Sequence, residues 1–195
     1  MVKDKHEDIS SSDNYRGITI GPVISKVFEV RLLDKFGSTL ESNDLQLGFK
    51  KKLGCEPCVY LLQNVTDYFA CKSSPVFIAS LDASKAFDRI NHEKLFVKLF
   101  ERGAPRCFIS VLEKRYSKLI FCVRWNGILG GVFRVVCGVR QRGRLSPFLF
   151  NIYVDKLLNL LSISGHGCQV GTVFYGCFMY ADDLILLSPS LRSLQ

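Results

Sequence analysis

The chain has 195 residues, 48% of them hydrophobic and 23% charged, which is long enough for one well-buried core and too apolar and too mixed in sign for a disordered segment. Its formal net charge of +8 favours a polyanionic partner, since each phosphate neutralised releases condensed counterions, although basic clusters also serve as plain solvated faces. Eight scattered cysteines behind no leading signal peptide argue against a disulfide-framed secreted domain and for reduced thiols in an intracellular compartment.

Residues Met1 to Asn14 are polar and read as an exposed lead-in, with residues 15–195 as one structural unit. Pro22 then sits at a helix start, and Val23, Ile24, Val27, Phe28, Val30 and Leu33 recur at the spacing of an amphipathic helix. A polar loop from Ser38 to Asp44 leads to Gln46-Leu47-Gly48-Phe49 and the basic turn Lys50-Lys51-Lys52. Pro57 opens a second apolar helix carrying Val59, Leu62, Val65, Tyr68 and Phe69. The Cys55-Glu56-Pro57-Cys58 spacing suits a metal, but no second such pair or paired histidines complete a tetrahedral set. A buried helical cysteine pair is therefore expected there, and no structural zinc.

Val76 to Leu81 reads as a buried strand that delivers Asp82 at its end. Asn91 caps a helix with Leu95, Phe96, Leu99 and Phe100 on one face, stopped by Gly103. Further basic clusters follow, at Arg102 and Arg106, at Lys114, Arg115 and Lys118, and at Arg140, Arg142 and Arg144. Phe121 to Trp125 and Val132 to Val136 flank a Gly-rich turn beginning Asn126-Gly127, a hairpin signal. Ser146 and Pro147 start a helix whose apolar positions run through Leu161. Last come two strand-like runs, Phe174 to Tyr180 and Leu184 to Leu187, separated by Ala181-Asp182-Asp183. Asn151, Asp155 and the Asp182-Asp183 pair break the longest apolar runs before they reach membrane-spanning length. The mixed order of helices and strands predicts an α+β fold, an antiparallel sheet backed by helices.

Two adjacent carboxylates between apolar strands are costly to place unless a cation holds them. Asp82 joins them if its strand neighbours theirs, and three such carboxylates can hold two Mg²⁺, or Mn²⁺ in their place, for phosphoryl transfer. Taken alone, an Asp-Asp turn is more often a solvated hairpin.

The surroundings sharpen this reading. Leu81-Asp82-Ala83-Ser84-Lys85-Ala86-Phe87-Asp88 resembles the first palm motif of reverse transcriptases of non-LTR (LINE-type) retrotransposons, and Phe178-Met179-Tyr180-Ala181-Asp182-Asp183 resembles their third. Gly138 to Pro147 is similar to the second, followed by a matching Leu149-Phe150-Asn151-Ile152-Tyr153 helix. Upstream, Asn14-Tyr15-Arg16-Gly17-Ile18 resembles the fingers motif and Gln46-Leu47-Gly48-Phe49 a Gln-Phe-Gly-Phe element. The resemblance runs from about Asn14 to the end. It implies a right-hand polymerase with fingers over about 15–72 and a partial palm over about 73–195.

The resemblance further implies that Asp82, Asp182 and Asp183 are the catalytic metal ligands, and that the backbone at Ala83 lines the triphosphate site. Phe87 would be the aromatic that packs under the sugar and rejects a 2′-hydroxyl, its alternative being simple core packing. Gln141 would contact the incoming nucleotide, and Arg16 would reach the triphosphate unless it is a surface arginine. The implied partners are an RNA template, a DNA primer and deoxynucleoside triphosphates, with no membrane.

Three residues depart from the family pattern. Arg142 stands where the second motif usually has Gly, a place for close backbone approach and for torsions other residues resist, so it is expected to crowd the nucleotide pocket. Arg144 replaces a Val and would cost stability unless its head reaches water. Gly17 replaces a Pro and loosens a turn. With the family's thumb and endonuclease outside this chain, the expectation is a polymerase core disabled as it stands. The competing readings are a catalytically dead palm that still binds nucleic acid and a two-metal nuclease, against which Phe87 and Gln141 weigh.

Overall fold

In the computed structural model, which describes residues 11, 14, 15, 17–50 and 53–194, a three-stranded antiparallel sheet lies between helices. Its strands are β1 (Phe77–Asp82), β7 (Asp183–Ser188) and β6 (Cys177–Tyr180), in the order β1-β7-β6. Side chains alternate along the strands. Cys177, Met179 and Leu184 enter one core with α3 (His92–Glu101), α4 (Arg106–Ser117) and α5 (Ser146–Ile163), while Phe178 and Leu187 enter another with Cys58 and Val65 of α2 (Glu56–Cys71). A central strand covered on both faces needs an unbroken apolar run, and Leu184-Ile185-Leu186-Leu187 supplies it. This is the expected mixed fold with an antiparallel sheet backed by helices.

Several elements form for the reasons read from the sequence. The Asn91 side chain accepts from the Lys94 N–H at 2.9 Å and caps α3, and Gly103, at φ +79°, ends it. Pro57 lies in the first turn of α2, and Pro147 in that of α5. Asn126 and Gly127, at φ +46° and +81°, make the two-residue turn between β2 (Ile120–Trp125) and β3 (Ile128–Arg134). That turn is shorter than the Gly-rich stretch suggested, because Gly130 and Gly131 lie inside β3.

Other expectations need correction. The apolar residues of α1 (Val23–Phe36) are largely outside, with Ile24 74% exposed, whereas Glu29 is 3% exposed and Leu32 is buried. The carboxylate of Glu29 has internal cationic partners, and these fix which face turns inward. Strand β1 is an edge strand with Ile78 and Leu81 about half exposed rather than buried. The run from Phe174 to Tyr180 is two pieces, because β5 (Val173–Phe174) pairs with β4 (Gln169–Val170) and the close approach of Gly176 to Gly167 interrupts the chain before β6. Of the cysteine pair, Cys58 is buried but Cys55 sits at the N-cap of α2 and faces solvent. Helix α4 was not anticipated: its charges at Lys114 and Arg115 read as a basic cluster, yet Phe108, Ile109, Leu112 and Tyr116 form a buried helical stripe.

Candidate active site

Strand pairing brings the acidic residues of the first and third motifs together. β1 and β7 run antiparallel with Asp82 directly opposite Asp183, and β6 returns so that Tyr180 is opposite Asp183 as well. Only Ala181 and Asp182 remain as the hairpin loop, with Ala181 at φ +57°. Residues directly opposite in such a pair point to the same face with Cβ atoms roughly 5 Å apart. Asp82 and Asp183 are thus neighbouring like charges at one end of the sheet, exposed to solvent, with Asp182 on the adjoining turn.

The ion pairs among the described residues engage other acids, namely Asp34, Asp44, Asp155 and Glu29. Two opposed carboxylates repel unless a cation joins them, and an all-oxygen donor set suits a hard divalent ion such as Mg²⁺. The donor chemistry of Asp82 and Asp183 fits. Among the described residues, no group of three or more His, Cys, Asp or Glu side chains is gathered tightly enough to hold a metal by itself.

The first and second motifs are bound to each other. After β1 the chain passes Ala83, turns at Lys85 (φ +55°) and forms a short 3-10 turn, Ala86–Arg89. The N–H of Val139 donates to the Phe87 carbonyl at 2.8 Å, and that of Gly138 to Ile90 at 2.7 Å. The Gln141 amide donates to both carboxylate oxygens of Asp88 at 3.1 and 3.2 Å. Gly138 is required here: at φ +87°, a Cβ would lie 2.8 Å from the Asp88 carbonyl oxygen. The Phe87 ring stacks on Phe150 of α5 at 4.9 Å and meets Phe49 edge-on at 5.9 Å. Phe87 is half-buried, so its ring is held by packing while part of it faces outward.

The second-motif loop also rests on α1. Glu29 pairs with Arg115 of α4 and lies 3.8 Å from Arg140, and it accepts the N–H groups of Arg144 at 2.6 Å and Leu145 at 3.4 Å. Ser25 accepts from both arginines. The side chains of Arg115 and Arg140 are only 17% and 13% exposed, so these two members of the basic clusters serve the interior. Sequence reasoning missed Glu29. The available signal was a lone acid between Phe28 and Val30 on an otherwise apolar stretch.

Of the residues that depart from the family pattern, Arg142 is exposed and stands at φ +61°, in the left-handed region that glycine occupies without strain. It borders a cleft of about 10 Å³ that it shares with Lys26, Arg140 and Gln141, room for about one water. A larger cavity of about 180 Å³ lies beside it, between Phe121 of β2, Phe133 of β3, Val135 just past β3 and the stretch Gly138–Gln141. Arg144 is exposed, so its burial penalty does not arise. Gly17 is exposed with open space around it. Arg16, Lys51 and Lys52 lie outside the described residues.

The architecture resembles two solved telomerases. A telomerase from Candida tropicalis matches with a TM-score of 0.58 at 15% identity, over 87% of this chain and 35% of that one. One from Candida albicans matches with a TM-score of 0.56 at 14% identity, over 88% and 31%. At these identities the likeness concerns the polymerase fingers and palm fold.

Sequence relatives are mobile-element polyproteins. The Pol polyprotein of the type-2 retrotransposable element R2DM of Drosophila melanogaster is 29% identical over 182 residues, 93% of this chain and 17% of that protein. That of a type-1 element R2 of Popillia japonica is 28% identical over 190 residues, 95% and 26%. The RNA-directed DNA polymerase of the mobile element jockey of Drosophila funebris is 25% identical, over 91% and 19%. This chain therefore spans about a quarter or less of each of these relatives. The family model described as reverse transcriptase (RNA-dependent DNA polymerase) matches residues 3–195. With the first and third motifs facing each other across β1 and β7 and the second braced against the first, the chain belongs to the reverse transcriptase family, in its non-LTR retrotransposon branch.

Proposed function

We propose that this chain is the fingers and partial palm, about 15–72 and 73–195, of a polymerase that extends a DNA primer on an RNA template, its second motif disabled by Arg142. The observation that carries the reading is the register that sets Asp82 opposite Asp183 at the end of the central strand pair. In the reaction the primer 3′-oxygen bonds to the α-phosphorus of a deoxynucleoside triphosphate, the bond from that phosphorus to the bridging oxygen breaks, pyrophosphate leaves, and the hydroxyl proton passes to water. Asp82, Asp182 and Asp183 would hold two divalent ions, Mg²⁺ or Mn²⁺, which when bound activate the hydroxyl and neutralise charge on the departing oxygen.

The remaining residues orient. By the family pattern the Ala83 backbone would line the triphosphate site, Phe87 would pack under the sugar and reject a 2′-hydroxyl, and Gln141, held by Asp88, would contact the incoming nucleotide; Arg16 is assigned to the triphosphate. Arg142 opposes this arrangement. Its left-handed torsion costs about 1–2 kcal/mol, and its long cationic side chain borders the cleft that Arg140 and Gln141 also line. That observation favours a second reading, a remnant that binds template–primer without extending it. We infer an intracellular setting from the nucleic-acid substrates and the free thiols; no helix of the described residues is long and apolar enough to cross a membrane.

Primer extension on an annealed RNA template with Mg²⁺ and deoxynucleotides tests both readings, comparing this chain, Arg142→Gly and Arg142→Gly/Asp182→Asn. Incorporation by Arg142→Gly alone supports a disabled polymerase. Salt-sensitive binding by all three without incorporation supports the remnant. Loss of binding by all three, with the fold intact, overturns both.

A further inference from the structure

We propose that Gln46 is a positioning residue that sets the backbone of the Ala181-Asp182 turn, and with it the placement of the two carboxylates, through both atoms of its side-chain amide. The proposal rests on the polymerase reading for its purpose but on contacts alone for its geometry. Gln46 is fully buried, more than any other described polar residue near the hairpin tip. Its Nε2 donates to the Ala181 carbonyl at 3.0 Å, and its Oε1 accepts the Ala181 N–H at 3.2 Å and the Gly48 N–H at 2.8 Å. A two-residue hairpin loop leaves its own N–H and C=O groups outside the strand ladder, and a buried orphan of this kind is costly. Here one side chain satisfies both groups of Ala181.

The clamp is anchored on either side. The N–H of Leu47 donates to Met179 and that of Met179 to Leu45, each at 2.7 Å, so the segment adds a parallel bridge beside β6. Gly48 permits this approach, since a Cβ there would come within 2.2 Å of the Ala181 nitrogen. The segment is tied in turn to α5, where Asp155 accepts the Asn43 N–H at 2.8 Å and Asn151 donates to the Gly48 carbonyl at 3.4 Å. Ala181 at φ +57° is a strained torsion for a residue with a Cβ, and the two hydrogen bonds to Gln46 offset it.

A carboxamide donates and accepts in one plane at any pH, which an ionised carboxylate does not. Glutamate retains the acceptor for Ala181 and Gly48 but sets an oxygen against the Ala181 carbonyl. Methionine keeps the length and loses all three bonds. The consequence reaches the carboxylates because they flank the clamped residue: Asp182 follows it directly, and Asp183 is the first residue of β7.

Mn²⁺ alone, titrated into this chain and followed by paramagnetic resonance, reports on the site without turnover. Wild type is compared with Gln46→Glu, Gln46→Met and Asp182→Asn, together with amide hydrogen exchange at Ala181 and Gly48 and thermal melting. We expect Gln46→Met to weaken Mn²⁺ binding by roughly 10- to 100-fold, as loss of a residue that orients metal ligands does, with Gln46→Glu intermediate. Exchange at Ala181 should rise to that of an unprotected amide while the amides of α3 and α5 stay unchanged. Wild-type affinity and wild-type protection in a folded Gln46→Met protein would overturn the proposal. So would free-loop exchange of the Ala181 amide in the wild type, whatever the variants do. If wild type and Asp182→Asn bind Mn²⁺ equally, the metal-site reading fails instead, and the exchange data still decide the clamp.

Discussion

Replacing Glu29 by alanine removes the acid that joins α1, α4 and the second-motif loop. The carboxylate is 4% exposed and its partners Arg115 and Arg140 are 17% and 13% exposed, so solvent screens the cluster little. Summing the individual hydrogen bonds would overstate the loss, because each was exchanged for a bond to water on folding. The relevant quantity is the cost of leaving buried guanidinium groups uncompensated, about 3–5 kcal/mol when one partner of a buried pair is deleted. Against a whole-protein stability of about 5–15 kcal/mol this brings the fold close to its limit. Urea unfolding at 25 °C reads it directly: with a slope near 2 kcal/mol per molar, the midpoint should fall by about 1.5–2.5 M. Replacing Glu29, Arg115 and Arg140 together by apolar residues of similar length should recover much of the loss, since a dry contact does not have to solvate charge. A midpoint shift in Glu29→Ala below about 0.5 M, equivalent to about 1 kcal/mol, would refute the view that this acid holds the loop.

Two further outcomes follow from the same geometry. Gly138→Ala, which combines a positive φ with a Cβ 2.8 Å from the Asp88 carbonyl oxygen, should cost roughly 2–3 kcal/mol. Calorimetry should show a melting point lower by about 4–12 °C, while Gly17→Ala, with open space around it, should melt within about 2 °C of wild type. Burial pushes the thiols of Cys58 and Cys168 up and that of Cys177 up to about 11, so at pH 8 they hold little thiolate. In native protein, iodoacetamide followed by mass spectrometry should label Cys55, Cys71, Cys107, Cys122 and Cys137 quickly and the three buried thiols only after denaturant is added. Fast labelling of Cys177 in the folded chain would contradict its place on the core-facing side of β6.

The hairpin of β6 and β7, the capped start of α3, the Asn126-Gly127 turn and the long helix from Ser146 were all legible in the sequence, because caps, turn residues and apolar periodicity act within a few neighbouring residues. The motif pattern likewise singled out Asp82, Asp182 and Asp183 before any strand was paired. What the local pattern could not carry was partnership. The opposition of Asp82 and Asp183 depends on β1 pairing with β7 across about a hundred intervening residues, and the edge position of β1 on what fails to cover it. The inward turn of α1 contradicts its apolar stripe because Glu29 meets two arginines from distant segments, a gain that no helical periodicity registers. Gln46 is the same case in miniature. In the sequence it opens the short Gln46-Leu47-Gly48-Phe49 element with no partner in view; only when the chain folds back does its amide meet both backbone groups of Ala181. Sequence alone therefore pointed to the family, most of the elements and the candidate acids, through short-range signals, while the tertiary structure decided which strands bring Asp82 and Asp183 together and which side chains meet the turn beside them, because strand pairs, buried hydrogen bonds and ion pairs are made between residues far apart in the chain.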